Sequence, residues 1–388
     1  MTPSTSQLVD FIRSKYRGDG GVPLHAPTFG GNERKYLLDC LDSTFVSSVG
    51  PYVDRFEDEF ASYTGALKAV SVVNGTAGLH VALRLVGVVP GDFVLTQSLS
   101  FVATCNAISY CGAQPLFVDV DRETLGLSPL AMDELLEEVA LCDEQGAVHR
   151  ASGRRIRACV PMHTFGHPVD IDGLVAVCEK WGIALVEDAA EALGSLSHGR
   201  HVGLAGRVGV FSFNGNKIVT TGGGGALIFS DAQLAARARH LTTTAKRPHP
   251  WEFVHDELGY NYRMPNINAA LGCGQLERLS GYVDAKRALA AEYIEFFRGS
   301  ELTFCLEPLG TRSNYWLCAV VCPDRAARDA LLTEVNAKGI GLRPVWTPMH
   351  RTAMYLDAPR GPLTMTEFLA DHLVNLPSSP PPGIGGGG

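Results

Sequence analysis

Seven short apolar runs, separated by segments with helical periodicity, place the strongest limit on how this chain can fold. The runs are AVSVVNG, DFVLTQ, PLFVDV, RIRACVPMH, IALVEDAA, VGVFSFNG and GALIFSD. Between them, segments such as RFEDEFASYTG and DGLVAVCEKWG repeat apolar residues at intervals of three and four, which is typical of amphipathic helices. This alternation predicts an α/β fold in which helices flank a mostly parallel, seven-stranded sheet.

The pattern changes after about residue 255. Long helical stretches follow, then the strand-like run YWLCAVVC and the helical segment AARDALLTEVNAKG. We therefore predict a large domain over residues 1–255 and a smaller α+β domain over 256–376, with a flexible tail at 377–388. The polar stretch at 143–155 predicts a surface loop.

Charge and composition exclude several classes of protein. The formal net charge is −8 and no long run of lysine or arginine occurs, so a nucleic-acid partner is not expected. No apolar run is long enough to cross a bilayer and the N-terminus lacks a signal pattern, so we expect no membrane association and a cytoplasmic location. The ten cysteines include no CxxC pair, which indicates buried free thiols and no metal site.

The stretch NGTAGLHVAL carries the first candidate for chemistry. A strand ends there, a turn of small residues follows, and a helix opens near Thr76. Free backbone N–H groups at such a helix start favour an anion, and Gly75 and Thr76 allow a phosphate to approach closely. The alternative is a plain strand-to-helix turn with Thr76 as the N-cap.

The stretch IALVEDAAEALGS ends an apolar strand in two acids. Open α/β sheets place ligand-contacting side chains at the carboxyl ends of their strands, so Asp188 or Glu187 is expected to face a crevice. The alternative is that Asp188 caps a following helix.

The stretch FSFNGNKIVTTGGGG contains one lysine, Lys217, among apolar residues. Partial burial disfavours the charged ammonium form, which makes the amine a candidate nucleophile. The glycines at 222–225 allow backbone to pass close to whatever the amine holds, and Ser212 and Asn214 offer neutral donors beside it. A solvated lysine and a flexible hairpin tip are the alternatives.

A phosphate-binding helix start, a carboxylate at a strand end and a semi-buried lysine are together what pyridoxal phosphate requires. The helix start binds the phosphate, the carboxylate keeps the pyridine nitrogen protonated, and the lysine bonds to the aldehyde. Phe101, in LSFVATCNAI, fits a further role as an aromatic plate on the pyridine face, or else it is an ordinary core phenylalanine.

With these motifs, the chain resembles the DegT-type sugar aminotransferases, a fold-type I pyridoxal phosphate family, over nearly its whole length. The resemblance implies a cofactor site made of Gly75, Thr76, Phe101, Asp188, Glu191, Ser212 and Lys217. Lys217 is implied as the covalent attachment point, Asp188 as the partner of the pyridine nitrogen, and Glu191 as a neighbour of the 3-hydroxyl. Many relatives have glutamine where Glu191 stands.

The stretch LGYNYRMPNINAALG is similar to the segment through which family members reach a neighbouring subunit. The resemblance therefore implies a homodimer with shared active sites, in which Asn261 meets the phosphate across the interface. From the residues alone, the same segment could be a turn within one chain.

Within the family, FGGNERKYLLDCLDSTFVSSVG, SFNGNKIVTTGGGG and TTTAKRPHPWEFVHDELGYNYRMPN look most like enzymes of legionaminic acid and related amino-sugar pathways. This resemblance implies transfer of an amino group from L-glutamate to C4 of a nucleotide-linked 4-keto-6-deoxy-N-acetylhexosamine. His163, Trp346 and His350 are then expected near the sugar, although packing at a domain interface explains each equally well.

Four other functions are compatible with parts of the pattern. A dehydratase of the same fold has histidine in place of the lysine, which Lys217 argues against. The others are an aminotransferase similar to GDP-perosamine synthase, a non-catalytic sensor that binds pyridoxal phosphate or a nucleotide-sugar, and an amino-acid aminotransferase. The last needs an arginine clamp, for which Arg263 and Arg343 are candidates.

Overall fold

The computed structural model describes residues 3–16 and 20–381. Its helices are α1 (Thr5–Lys15), α2 (Glu33–Ser43), α3 (Pro51–Thr64), α4 (Gly75–Leu85), α5 (Val102–Tyr110), α6 (Pro129–Val139), α7 (Ile171–Trp181), α8 (Ala232–Thr242), α9 (Asn266–Leu276), α10 (Leu279–Phe296), α11 (Arg325–Ala337) and α12 (Thr364–His372). Its strands are β1 (Lys68–Val72), β2 (Phe93–Gln97), β3 (Gln114–Val118), β4 (Ala140–Asp143), β5 (Gly146–His149), β6 (Ile156–Val160), β7 (Ala184–Asp188), β8 (Leu196–Ser197), β9 (Arg200–His201), β10 (Val208–Ser212), β11 (Gly225–Phe229), β12 (Lys246–Arg247), β13 (Val254–His255), β14 (Thr303–Phe304), β15 (Thr311–Arg312), β16 (Cys318–Val321), β17 (Arg343–Pro344) and β18 (Leu373–Leu376).

The seven apolar runs form one seven-stranded sheet, with the strand order β1-β11-β10-β7-β6-β2-β3. Every pair from β10 to β3 is parallel, and β11 runs antiparallel to both of its neighbours. The predicted mostly parallel sheet is therefore confirmed.

Neighbouring residues along each strand point to opposite faces of the sheet. Because the strands are mostly apolar, both faces are apolar, and helices cover both. Val210 of β10 packs on one face with residues of α4, α5 and α8, while Phe211 packs on the other with residues of α3 and α9. On the Phe211 side, the rings of Phe60 and Phe211 meet edge to face with centroids 5.2 Å apart. The sheet is thus buried on both faces, which explains its continuous apolar runs.

The direction of the strands determines where a site can form. Since β1 and β10 both run antiparallel to β11, they are parallel to each other, and β7 and β2 share their direction. The carboxyl ends of these four strands therefore meet at one edge of the sheet. Ligands of open α/β sheets bind at this edge.

A second, four-stranded sheet has the order β14-β16-β18-β17 and is antiparallel throughout. It packs against α10 and α11 as expected for a small α+β unit. Helix α1 belongs to the same core, because it buries Leu8, Val9 and Ile12 there. The boundary predicted at residue 255 placed this N-terminal helix with the large domain. The spacing of apolar residues in α1 predicts that the helix has an apolar face, but it does not show which core that face packs against.

Two local predictions differ from the structure. The predicted surface loop at 143–155 begins within a hairpin, β4–β5, whose residue Gly146 has a φ of 104°.

The predicted flexible tail at 377–388 is buried from 377 to 380, and residues 382–388 lie outside the described residues. Ser378 and Ser379 bond to Leu24 and Ala26, near the other end of the chain. Contacts between such distant segments leave no local pattern in the sequence.

The ten cysteines are free thiols; eight are buried, Cys305 is partly buried and Cys142 is exposed, so the expectation that they are buried does not hold for Cys142. Within residues 3–16 and 20–381, none of the helices combines the length and the hydropathy that a bilayer span requires. One group of possible metal ligands, His240, Asp256 and Glu257, lies near the surface, where Arg237 already pairs with Glu257.

Candidate active site

A cavity of about 270 Å³ lies at the carboxyl edge of the large sheet, closed on one side by residues that follow α10. Most of the residues predicted for a cofactor or substrate line it. These are Gly75, Thr76, Phe101, Asp188, Glu191, Ser212, Lys217 and Trp346.

The start of α4 forms one wall of the cavity. The side-chain oxygen of Asn74 accepts a hydrogen bond from the Ala77 amide at 2.8 Å, so Asn74 is the N-cap and Thr76 is not. Among the described residues, none accepts a hydrogen bond from the amides of Gly75 or Thr76. Two free N–H groups at the positive end of a helix fit an anion such as a phosphate.

Glycines keep the space beside these amides open. A Cβ on Gly75 would lie 3.0 Å from the Cβ of Ser212, and a Cβ on Gly225 would lie 2.8 Å from the Gly75 nitrogen. Gly225 is the first residue of β11 and is not part of a flexible tip. These glycines let two strands and a helix start converge on one small anion-binding cradle.

Asp188 ends β7 and faces the cavity. Its Oδ2 accepts from the Thr104 hydroxyl at 2.7 Å and its Oδ1 from the Ala190 amide at 3.1 Å. Burial raises the pKa of this carboxyl group, while the hydrogen bond from Thr104 lowers it. Glu187 points to the opposite side, where it accepts from the amides of Gly203, Ala205 and Gly206. Of the two candidate acids, only Asp188 is in the site.

Lys217 extends into the cavity with 12% of its side chain exposed. Its Nζ donates to Glu191 Oε1 at 3.1 Å and lies 3.8 Å from the centre of the Trp316 ring. The other oxygen of Glu191 accepts from the Phe165 amide at 2.9 Å. Burial raises the pKa of Glu191, and the nearby ammonium of Lys217 lowers it. The amine is therefore held in a fixed position between a carboxylate and an aromatic face.

This set of groups fits pyridoxal phosphate. Free helix amides can bind its phosphate, a buried carboxylate can hold its protonated ring nitrogen, and a positioned amine can bond to its aldehyde. The glycine cradle at Gly75 and Gly225 leaves room for the phosphate beside those amides.

Aromatic side chains form the outer wall. Phe101 is 48% exposed, and its ring lies 6.2 Å from that of Trp346. Trp346 also packs on Phe165, at 5.1 Å between ring centres. The structure thus places both predicted aromatic residues at the cavity, and the exposure of Phe101 argues against a core position.

The two predicted histidines do not line the cavity. His163 is fully buried; its Nδ1 accepts from the Val169 amide, so its Nε2 carries the proton and donates to Glu187 at 3.1 Å. His350 lies between Ser98 and Glu367, at 2.7 Å and 2.6 Å. Both imidazoles bond to neighbouring segments of the chain, which suits the packing alternative, and their contact with the sugar stays a prediction.

Asn261 is exposed and does not line the cavity of its own chain. Its backbone pairs with Thr243, next to the amide of Tyr262, which donates to Thr242. The side chain is therefore presented outward from an ordered segment, a placement suited to contact with another molecule.

Trp316 is the main cavity residue that the sequence did not reveal. It comes from the stretch SNYWLC, just before β16, and its indole nitrogen donates to the Asn216 carbonyl at 2.7 Å. The available signal was the polar pair Ser313–Asn314 before an apolar strand, in a chain with only four tryptophans. The sequence shows no reason for this tryptophan to meet Lys217, because the two residues are far apart in the chain.

Pyridoxal phosphate-dependent aminotransferases are the class of protein to which this sheet and cavity belong. The chain is a member of the DegT/DnrJ/EryC1/StrS aminotransferase family, whose model matches residues 27–381. It is 35% identical to the GDP-perosamine synthase of Vibrio cholerae over 366 residues, which cover 92% of this chain and 94% of the relative.

Solved structures agree with this assignment. The aminotransferase TlmJ from Streptoalloteichus hindustanus superposes with a TM-score of 0.83 at 32% identity, covering 92% of this chain and 94% of TlmJ. DesI, solved in the presence of its TDP-sugar product, superposes with a TM-score of 0.81 at 29% identity, covering 96% of this chain and 92% of DesI. The fold class, the cofactor and the enzyme class predicted from the sequence are therefore confirmed.

Proposed function

We propose that the protein transfers an amino group from L-glutamate to C4 of a nucleotide-linked 4-keto-6-deoxy-N-acetylhexosamine. One observation carries the proposal: Lys217, Asp188 and the free amides at the start of α4 line a single cavity. The names of the relatives, GDP-perosamine synthase and DesI with a TDP-sugar, favour a nucleotide-sugar as the acceptor.

We assign the cofactor contacts to residues of this cavity. When bound, pyridoxal phosphate supplies an electron sink for the carbon that gains or loses the amino group. Asp188 keeps the ring nitrogen protonated, and Gly75, Thr76 and Ser212 hold the phosphate. Lys217 would be the attachment point for the aldehyde, and its free amine would be the group that moves a proton at the substrate carbon.

Besides its implied place near the 3-hydroxyl of the cofactor, Glu191 positions Lys217. It holds the Nζ of Lys217 at 3.1 Å, so the amine stays within reach of the cofactor after displacement. Phe101 would pack against the ring, and Trp346 beside it would offer an apolar face to the sugar and limit access of water.

An amino-acid acceptor fits the cavity less well. Such an enzyme needs a positioned arginine for a second carboxylate. Arg263 is buried and pairs with Glu57 at 2.8 Å, while Arg343 is exposed and bonds to Asn336. Of the described residues that line the cavity, none is an arginine.

A GDP-linked 4-keto sugar is a second candidate acceptor. The observation that favours it is the 35% identity to a GDP-perosamine synthase over 92% of this chain. Both candidates require the same residues around the cofactor and differ only in the sugar and the nucleotide.

We also propose that the enzyme works as a homodimer with shared sites. Asn261 is exposed and lies outside its own cavity, which suits contact with the phosphate in a neighbouring subunit. Exposed apolar residues offer a surface for that partner; on α2 and the segment after it these are Leu38, Leu41, Phe45, Val46 and Val49.

A single incubation tests the proposed reaction. The enzyme is mixed with isotope-labelled glutamate and either the UDP-linked or the GDP-linked 4-keto sugar, and the products are identified by mass spectrometry. We expect one sugar to gain the labelled amino group and 2-oxoglutarate to appear in equal amount. Lys217→Ala is the matched control and should give neither product. The absence of labelled nitrogen from both sugars would contradict the proposal.

A further inference from the structure

Two buried hydroxyl groups lead from the start of α5 to the Asp188 carboxylate. Ser100 and Thr104 are 0% and 1% exposed. The Thr104 hydroxyl lies 2.7 Å from Asp188 Oδ2, and the Ser100 hydroxyl lies 3.2 Å from that of Thr104. Neither hydroxyl lines the cavity, so their importance cannot come from contact with substrate.

The direction of these hydrogen bonds follows from counting protons. A hydroxyl has one proton to donate, and an ionised carboxylate can only accept. The Thr104 proton is therefore given to Asp188, and toward Ser100 the Thr104 oxygen can only accept. Of the acceptors within reach of the Ser100 hydroxyl, Thr104 is the nearest, ahead of the Phe101 carbonyl at 3.3 Å and Met162 Sδ at 3.6 Å. Hydroxyls aligned in this way polarise one another, which strengthens the final bond to the carboxylate.

Few other groups stabilise this carboxylate. The Ala190 amide donates to its other oxygen at 3.1 Å. Among the described residues, no lysine or arginine makes a hydrogen bond to Asp188; Lys217 donates to Glu191 instead, and its nearby positive charge lowers the pKa of Asp188 without a direct bond. Cys105 on the same helix is a buried neutral thiol whose pKa burial raises. Thr104 thus provides the one side-chain hydrogen bond to Asp188 that the structure shows.

We propose that Thr104, with Ser100 behind it, is a positioning residue that keeps Asp188 ionised and oriented toward the ring nitrogen of the cofactor. The inference rests on the proposed role of Asp188 and adds the residues through which that role is maintained. Without the Thr104 hydroxyl, burial would favour the protonated carboxyl group, which cannot pair with a protonated ring nitrogen.

Thr104→Val removes the hydroxyl and keeps the shape of the side chain, and Thr104→Ser keeps the hydroxyl. The loss of a hydrogen bond to a charged group changes a dissociation constant by a factor on the order of ten or more. We expect Thr104→Val to bind pyridoxal phosphate about tenfold more weakly and to shift the pH at which the absorbance of the bound cofactor changes. Thr104→Ser should restore both properties. Ser100→Ala should shift them in the same direction by a smaller factor.

A double-mutant cycle with Asp188→Asn separates this role from simple packing. If Thr104 acts through Asp188, Thr104→Val should have little further effect on cofactor affinity once Asp188 is an amide. Fully additive losses would show that Thr104 acts through packing alone, and unchanged cofactor binding in Thr104→Val would also overturn the inference. If Asp188→Asn itself binds the cofactor as the wild type does, the assigned role of Asp188 fails first.

These outcomes remain readable if one variant does not fold. Should Thr104→Val be unstable, Ser100→Ala still withdraws the donor behind Thr104, and a normal cofactor titration in that variant contradicts the inference. All measurements concern cofactor binding, so they do not depend on which sugar the enzyme accepts.

Discussion

At the scale of single residues, the half-buried Lys217 and the fully buried Lys286 show how surroundings decide the use of an amine. Lys217 meets a carboxylate, Glu191, at 3.1 Å. Lys286 on α10 is 1% exposed and donates only to backbone carbonyls, those of Trp316 and Ser378. Burial lowers the pKa of Lys286 to about 7. Lys286 therefore links the C-terminal segment, at Ser378, to the backbone of Trp316, which lines the cavity.

The lowered pKa of Lys286 predicts a dependence of stability on pH. Unfolding exposes the amine, whose pKa returns to its ordinary value of 10.5, so the unfolded chain binds more protons between about pH 7 and 10.5. The free energy of unfolding should therefore rise with pH in this window, by up to about 1.4 kcal/mol per pH unit for one proton. Lys286→Met should flatten that slope, as measured by urea unfolding at several pH values.

Lys68→Met is the control for this experiment, because Lys68 is an exposed lysine at the start of β1. It should keep the wild-type slope. An equally steep slope in Lys286→Met would show that the buried amine does not titrate in this window.

Asp188→Asn should lower turnover more than any loss of stability explains. An amide cannot hold the protonated ring nitrogen, and removal of one partner of a buried charge pair costs about 2 to 5 kcal/mol. Asp172→Asn, an exposed position on α7, is the matched control and should behave as the wild type. Steady-state kinetics check the prediction, which near-normal turnover of Asp188→Asn would refute.

At the scale of elements, the site depends on how closely α4, β10 and β11 converge. A Cβ on Gly225 would meet Phe211 O at 2.7 Å as well as the Gly75 nitrogen, and both are backbone atoms that cannot rotate away. Gly225→Ala should lower the free energy of unfolding by about 1 to 3 kcal/mol and weaken cofactor binding. Thermal melts and cofactor titration measure the two effects.

Gly281→Ala on α10 is the matched control, because a Cβ there meets nothing within 4 Å. Alanine has the higher helix propensity, so this variant should be unchanged or up to about 1 kcal/mol more stable. Normal cofactor affinity in Gly225→Ala would show that the cradle tolerates a side chain.

Elements with strong local patterns were predictable, and contacts between distant segments were not. The strands around Val210 and Phe211 are apolar on both faces, so the sequence alone indicated their burial. The strand-end position of Asp188 was equally clear. In contrast, Trp316 and Lys217 are far apart in the sequence, and no local pattern shows that they meet. The bond between His350 and Ser98 likewise joins segments that are far apart in the sequence, so no local pattern reveals it.

At the scale of the whole molecule, the proposed dimer predicts that two inactive chains can restore one active site. In a heterodimer of Lys217→Ala and Asn261→Asp chains, one shared site contains both substitutions and the other contains neither, because each site takes Lys217 from one chain and Asn261 from the other. The new carboxylate should weaken binding of the phosphate by like-charge repulsion. Activity should therefore appear only when both variants are co-expressed and purified together.

Two results decide this experiment. Activity in verified heterodimers, absent from either homodimer, would show that Asn261 acts across the interface. Inactive heterodimers, together with an inactive Asn261→Asp homodimer, would show that Asn261 acts within its own chain.

The central claim is that Lys217 is the residue that bonds to the cofactor, and borohydride trapping tests it most directly. The holoenzyme is reduced, digested and analysed by peptide mass spectrometry, which locates the lysine that carries the reduced cofactor. We predict a single labelled peptide that contains Lys217, with Lys217→Ala unlabelled. Cofactor mass on a peptide containing Lys286, the fully buried lysine behind Trp316, or on any peptide without Lys217, would contradict the account.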